Sequence, residues 1–234
     1  MIPIPLNDNI RRSTFWIVTL LLIIANVLVF LNELSLGRDI NQVVFTYGIV
    51  PARYTTPRGV ESLTVGGFLI PIFASMFLHG GWLHLLGNML FLYVFGRSVE
   101  DRYGHVKFLI IYFLGGFGGA LVHIFLNAGS RVPSIGASGA IAAVLGAYFI
   151  TFPRARIKTI IFLVFFLWTV ELPALLVLGY WFLIQFFQAY YQMLSIQSAT
   201  AGGVAFWAHV GGFLSGLLLA VLMGGRRQEF EQVA

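Results

Sequence analysis

Ser138 stands in Pro133-Ser134-Ile135-Gly136-Ala137-Ser138-Gly139-Ala140, at the mouth of an apolar run that continues to Phe152. His209 stands just inside a second apolar run, in Ala208-His209-Val210-Gly211-Gly212. A hydroxyl and an imidazole are the raw parts of a nucleophile and its general base. A third segment, Phe77-Leu78-His79-Gly80-Gly81-Trp82-Leu83-His84-Leu85-Leu86-Gly87-Asn88, places His84 and Asn88 four residues apart, on one helical face. Both side chains can donate hydrogen bonds to a developing oxyanion. Taken together these residues predict acyl transfer: peptide hydrolysis by a serine, carried out inside a membrane.

The glycines fit that chemistry. Gly136 and Gly139 permit a tight turn into the helix that begins at Ser138 and let a substrate backbone come close. The amides of a helix amino terminus point to where an oxyanion would form. Gly212 and Gly216 have the small-xxx-small spacing of close helix contacts, and Ala140, Ala143 and Gly146 offer a matching surface. Such a contact would bring Ser138 and His209 within hydrogen-bond reach. From Phe108 to Gly225 the single acidic residue is Glu171, so a Ser-His dyad is expected rather than a triad.

Each feature has a plainer explanation when taken alone. A serine among Gly and Ala in a membrane helix is usually a packing residue. A histidine in a span can belong to a proton relay, and His84 with Asn88 can simply bond neighbouring helices. What outweighs these is their conjunction at one membrane depth. Metal binding is not expected: there is no His-Glu-x-x-His, and His79 and His84, five apart, share a helix face poorly. The chain has no cysteine, which excludes disulfides, thiolate nucleophiles and cysteine metal sites. No cofactor is expected. Nor is this the Gly-x-Ser-x-Gly elbow of soluble hydrolases, because Gly139 follows the serine directly.

The elements that must position these residues are membrane helices. Of 234 residues 59% are hydrophobic and 10% charged, against about 25% charged in soluble domains. Mean hydropathy is +0.88. Apolar segments near Ser13–Leu31, Trp82–Phe95, Phe108–Leu126, Ser138–Phe152, Pro173–Tyr190 and Phe206–Met223 predict six helices in a single all-α membrane domain over residues 1–234. Six crossings put both termini on one side. Arg11, Arg12, Arg97, Arg102, Lys107, Arg154, Arg156, Lys158, Arg226 and Arg227 fall there, and Arg38, Arg53, Arg58 and Arg131 fall opposite. The cation-rich side, with both termini, is therefore predicted to be cytoplasmic. The pI near 9.7 reflects topology, not a nucleic-acid surface.

Two segments depart from a plain bundle. Val65–Met76 contains Gly66, Gly67 and Pro71 and is short for a span, so an interfacial or partly embedded piece is expected. Thr159–Tyr190 is too long for one crossing and is broken by Glu171-Leu172-Pro173. Its first part, Thr159–Thr169, is predicted to lie along the cytoplasmic interface or to fold back as a hairpin, with a helix starting near Pro173.

From roughly Phe68 to Gly224 the residues resemble the rhomboid family of intramembrane serine proteases. The motifs that carry the resemblance are His79-x4-His84-x3-Asn88, Gly136-Ala137-Ser138-Gly139, Ala208-His209-x-Gly-Gly with Gly212-x3-Gly216, and the Glu100 to Gly104 turn. The resemblance implies Ser138 as nucleophile and His209 as general base, with His84, Asn88 and the Ser138 amide as the oxyanion hole. It implies Gly136, Ala137 and Gly139 as the loop that meets substrate, a water-filled cavity, a lipid-dipping first loop, and lateral entry of a transmembrane protein substrate. Two features depart from the family pattern. Ala142 stands where many rhomboids carry an aromatic ring that stacks on the imidazole, and the first loop lacks the family's Trp-Arg pair.

Two other function classes fit parts of this sequence. A rhomboid-like protein that binds or dislocates membrane proteins without cutting them typically lacks the serine or histidine kept here. A transporter with His84, His123 and His209 as a proton path would need matching charged halves, which the sequence does not have. With no recognisable presequence, a bacterial plasma membrane is the expected location. Nothing in the sequence points to an oligomeric state or a nucleic-acid partner.

Overall fold

Long apolar runs without interior breakers fold as helices, because a membrane leaves no water for backbone polar groups. The computed structural model describes residues 4–163, 166–194 and 205–224. In chain order the elements are β1 (Ile4–Asp8), α1 (Ile17–Ser35), α2 (Ile40–Tyr47), the short helices α3 (Ala52–Thr55) and α4 (Pro57–Glu61), α5 (Val65–Ala74), α6 (Trp82–Phe91), α7 (Arg97–Tyr103), α8 (His105–Leu126), α9 (Ser138–Thr151), β2 (Arg156–Leu163), β3 (Phe166–Pro173), α10 (Ala174–Leu194) and α11 (Phe206–Met223).

Among the described residues, α1, α8, α10 and α11 are long and apolar enough to cross a membrane. Val65–Phe77 and Trp82–Tyr103 form a pair bent by 88°, which gives a fifth candidate span if the two are counted together, and α9 is a shorter apolar helix. The protein is thus a multi-pass membrane protein. The sequence ends one helix at Phe95, whereas the structure carries it through a π turn at Leu92–Gly96 into α7. Arg97 is held there: its Nε donates to the Tyr93 carbonyl at 2.6 Å, and its guanidinium lies 3.7 Å from the centre of the Tyr93 ring.

The all-α expectation needs correcting. Helices dominate, but β1, β2 and β3 form an antiparallel sheet in that order. Ile4 pairs with Ile160 and Asp8 with Ile157, while β2 and β3 pair from Arg156–Pro173 out to Leu163–Phe166. Thr159–Thr169 therefore takes the hairpin alternative, apart from residues 164 and 165, which lie outside the described residues. The run is rich in Ile, Phe, Val and Thr, whose side chains suit a pleated backbone better than a helix. Asp8 ties the sheet to the helices: it pairs with Arg12 and accepts from Ser98 Oγ at 2.6 Å and Tyr148 Oη at 3.0 Å.

At the centre stands α9, buried continuously from Ala140 to Tyr148. Small residues set its distance from its neighbours. A Cβ on Gly216 would strike the Ala143 carbonyl, one on Gly146 the Phe213 carbonyl, and one on Gly115 the Ala143 Cβ. These contacts hold α8, α9 and α11 together and bring the first residue of α9 alongside the fourth of α11.

Candidate active site

Ser138 opens α9 after a turn that only glycine makes easily. Gly136 has φ +127°, and a Cβ there would lie 2.7 Å from both Nε2 and Cε1 of His84. The same point is 3.7 Å from Ser138 Oγ, so the His84 ring and the serine hydroxyl flank one small space. The turn is pinned by the Gly136 amide, which donates to the Ser75 carbonyl at 2.8 Å. As the first helical residue, Ser138 has a backbone amide with no partner inside its own helix.

His209 is buried on α11, and its Nε2 lies 2.7 Å from Ser138 Oγ. The close packing of Gly212 against the Gly139 carbonyl sets that approach. His84 Nδ1 accepts from the Gly80 amide at 3.3 Å, which leaves its proton on Nε2, the nitrogen beside Gly136. Asn88 lies one turn further on and is buried. Its Nδ2 bonds His79 Nε2 at 3.0 Å while His79 Nδ1 donates to the Phe77 carbonyl at 3.2 Å, so one amide hydrogen of Asn88 is held by His79. His84, Asn88, Ser138 and His209 all line one cavity of about 840 Å³ between α6 and α10. Gly136 and Gly139, with Ala140, line a smaller space behind the serine. Ala137 is buried.

The spacing of motifs did not reveal several neighbours. Gln185 on α10 sits with Oε1 2.6 Å from His209 Nδ1. Trp181, four residues earlier on the same face, lies 5.9 Å from the His209 ring at 31°. Phe206 meets that ring edge-on at 6.3 Å. The aromatic neighbour missing at Ala142 is thus supplied from α10, and Ala142 instead packs beside Gly212. Behind Asn88, the His79 amide donates to both carboxylate oxygens of the buried Glu33, at 3.3 and 3.2 Å. An amide inside a membrane helix needs a partner, but α10 also carries Gln188 and Gln192, and the sequence does not choose among them.

A Rhomboid domain matches residues 67–226, which is more than half of the chain. The chain belongs to the rhomboid family. Among its relatives, RHOMBOID-like protein 5 of Arabidopsis thaliana is 37% identical over 76 residues, covering 32% of this chain and 25% of the relative. RHOMBOID-like protein 4 of the same plant is 30% identical over 147 residues, covering 62% of this chain and 32% of the relative. Rhomboid protein 1, mitochondrial, of Saccharomyces cerevisiae is 36% identical over 97 residues, covering 40% and 28%. The chain therefore spans a third or less of the length of these curated relatives.

Proposed function

We propose that this rhomboid is an intramembrane serine endopeptidase that cuts other proteins in or near their transmembrane segments. The observation that carries this reading is the 2.7 Å approach of His209 Nε2 to Ser138 Oγ, in a cavity reached between α6 and α10. Neutral His209 accepts the Ser138 proton at Nε2 while Oγ attacks the peptide carbonyl, and the imidazolium returns the proton to the leaving amine. His84 Nε2–H, Asn88 and the Ser138 amide donate to the oxyanion, where preorganised donors act most strongly. Water entering the cavity then hydrolyses the acyl-enzyme. Gly136, Ala137 and Gly139 shape the turn that presents Ser138 to substrate. Their small size favours a small residue before the cut.

A substrate helix hides its carbonyls, so it must unwind locally before attack. In the proposed arrangement six helices cross, with α6–α7 and the short α9 counted among them, and both termini face the cytoplasm. Fourteen residues in α9 at about 1.5 Å each give about 21 Å, less than a hydrocarbon core of about 30 Å. An α9 that ends at the inner boundary therefore places Ser138 below the outer surface. The test is cleavage of a single-span fusion reporter in liposomes by wild type, Ser138→Ala and His209→Ala. Both variants should be inactive. Cleavage that survives Ser138→Ala would falsify the serine mechanism. No cleavage of any reporter by wild type would point instead to a binding or dislocating role.

A further inference from the structure

Helix α10 buries Ala174, Val177, Leu178, Gln185 and Ala189, a stripe that is apolar at every position but one. Burying an amide among hydrocarbon is unfavourable unless it finds a partner. Gln185 finds His209, at 2.6 Å between Oε1 and Nδ1. This is at the short end of N–H···O distances, whose usual value is about 2.9 Å. We propose that Gln185 is a positioning residue that fixes the tautomer of His209, an uncharged third member of the Ser138–His209 pair. The proposal rests on the protease reading above.

The chemistry of the atoms requires that order. A carbonyl oxygen can only accept, so Nδ1 must carry the imidazole proton, and the lone pair of Nε2 then faces Ser138 Oγ. In the other tautomer Nε2 would carry the proton and could not take one from the serine. In soluble serine proteases a buried carboxylate does this work. Here the one acid between Phe108 and Gly225, Glu171, stands opposite Lys158 in the β2–β3 ladder, away from His209. Among the described residues no carboxylate is ion-paired with His209. The titratable groups around it are His84 across the cavity and His123 on α8, with Trp181 and Phe206 against its ring. A neutral acceptor orients the ring without placing a second charge in a poorly hydrated site.

Two substitutions separate orientation from bulk. Gln185→Met keeps length and volume but removes the acceptor; kcat should fall roughly ten- to a hundredfold with KM nearly unchanged. Gln185→Glu keeps an acceptor oxygen and should retain cleavage. Its negative charge favours the imidazolium, so the acid limb of the pH–rate profile should move to higher pH. Nitrogen-15 NMR reads the same point without turnover. The His209 signal, identified by its loss in His209→Ala, should show the proton on Nδ1 in wild type and a mixture of tautomers in Gln185→Met. Thermal unfolding in detergent checks that each variant folds. Unchanged kcat, pH profile and tautomer in a folded Gln185→Met would overturn the positioning role while Ser138→Ala still abolished cleavage. Cleavage that survives Ser138→Ala overturns the protease reading, and the positioning role with it.

Discussion

At the scale of single residues the site depends on small spaces and stacked rings. Gly136→Ala must place a Cβ against His84 and adopt a left-handed backbone at once. In the proposed mechanism this substitution displaces an oxyanion donor, whose loss costs about 10²–10³ in kcat, so a loss of that order is expected in the reporter assay. Trp181→Ala removes the ring beside His209; at about 0.5–1.5 kcal/mol for an aromatic contact, the rate should fall roughly two- to tenfold, with Trp181→Phe largely normal. The pH profile has a fixed sign. A base works only when deprotonated, so labelling of Ser138 by a fluorophosphonate should decline as pH is lowered from about 7 to about 5, through the range where histidine titrates. A rate that climbs on acidification would remove His209 from the base role. The motif residues were legible in the sequence because hydroxyl, imidazole and glycine sit at helix mouths. Gln185 and Trp181 were not, because only the rotation of α10 in the bundle decides which of its faces meets His209.

At the scale of elements, the amino terminus of α1 is capped from far along the chain. Asp101 accepts from the amides of Ser13 and Thr14 at 2.9 and 2.6 Å, and the buried Glu100 accepts from the amides of Val18 and Thr19 at 2.9 and 2.7 Å. Glu100 satisfies amides that the first turn of α1 leaves without partners, at its positive end, while Asp101 holds the segment leading into the helix. His105 Nδ1 closes the network on Glu100 at 2.7 Å. Asp101→Ala should destabilise by about 1–3 kcal/mol, the usual range for donors left without a partner. Glu100→Leu should cost more, about 3 kcal/mol or above, because it strands buried donors. Thermal unfolding in detergent orders the two, and an equal or reversed ranking would dissolve the assignment. Such contacts cannot be read along a sequence, since the acids lie more than 80 positions from the amides they serve. The strands were hidden for a related reason. An apolar run with no alternation carries no period to separate strand from helix, and β1 gains meaning only from pairing with β2.

At the scale of the whole molecule, the Ser138–His209 distance follows from how closely three helices approach. Gly146, Gly212 and Gly216 each lie against a backbone carbonyl or amide of the facing helix, leaving no room for a side chain. In lipid, where apolar helices gain little by avoiding water, such close packing is a main source of association. The spacing of these glycines was legible in the sequence, and so was their pairing with Ala143; on α8 Gly115-x3-Gly119 has the same spacing, but nothing in the sequence says that it meets both α9 and α11. Gly216→Val therefore tests structure and site together. Its added methyl groups meet the Ala143 backbone, which cannot move aside as a side chain would, and overpacking of this kind costs about 1–3 kcal/mol or more. The expected result is a lowered melting temperature in detergent and lost fluorophosphonate labelling of Ser138. Gly87→Ala provides the contrast, because a Cβ there meets nothing within 4 Å. It should melt as wild type does. If Gly216→Val melted and labelled like wild type, the α9–α11 contact could not be what holds Ser138 and His209 in reach of each other.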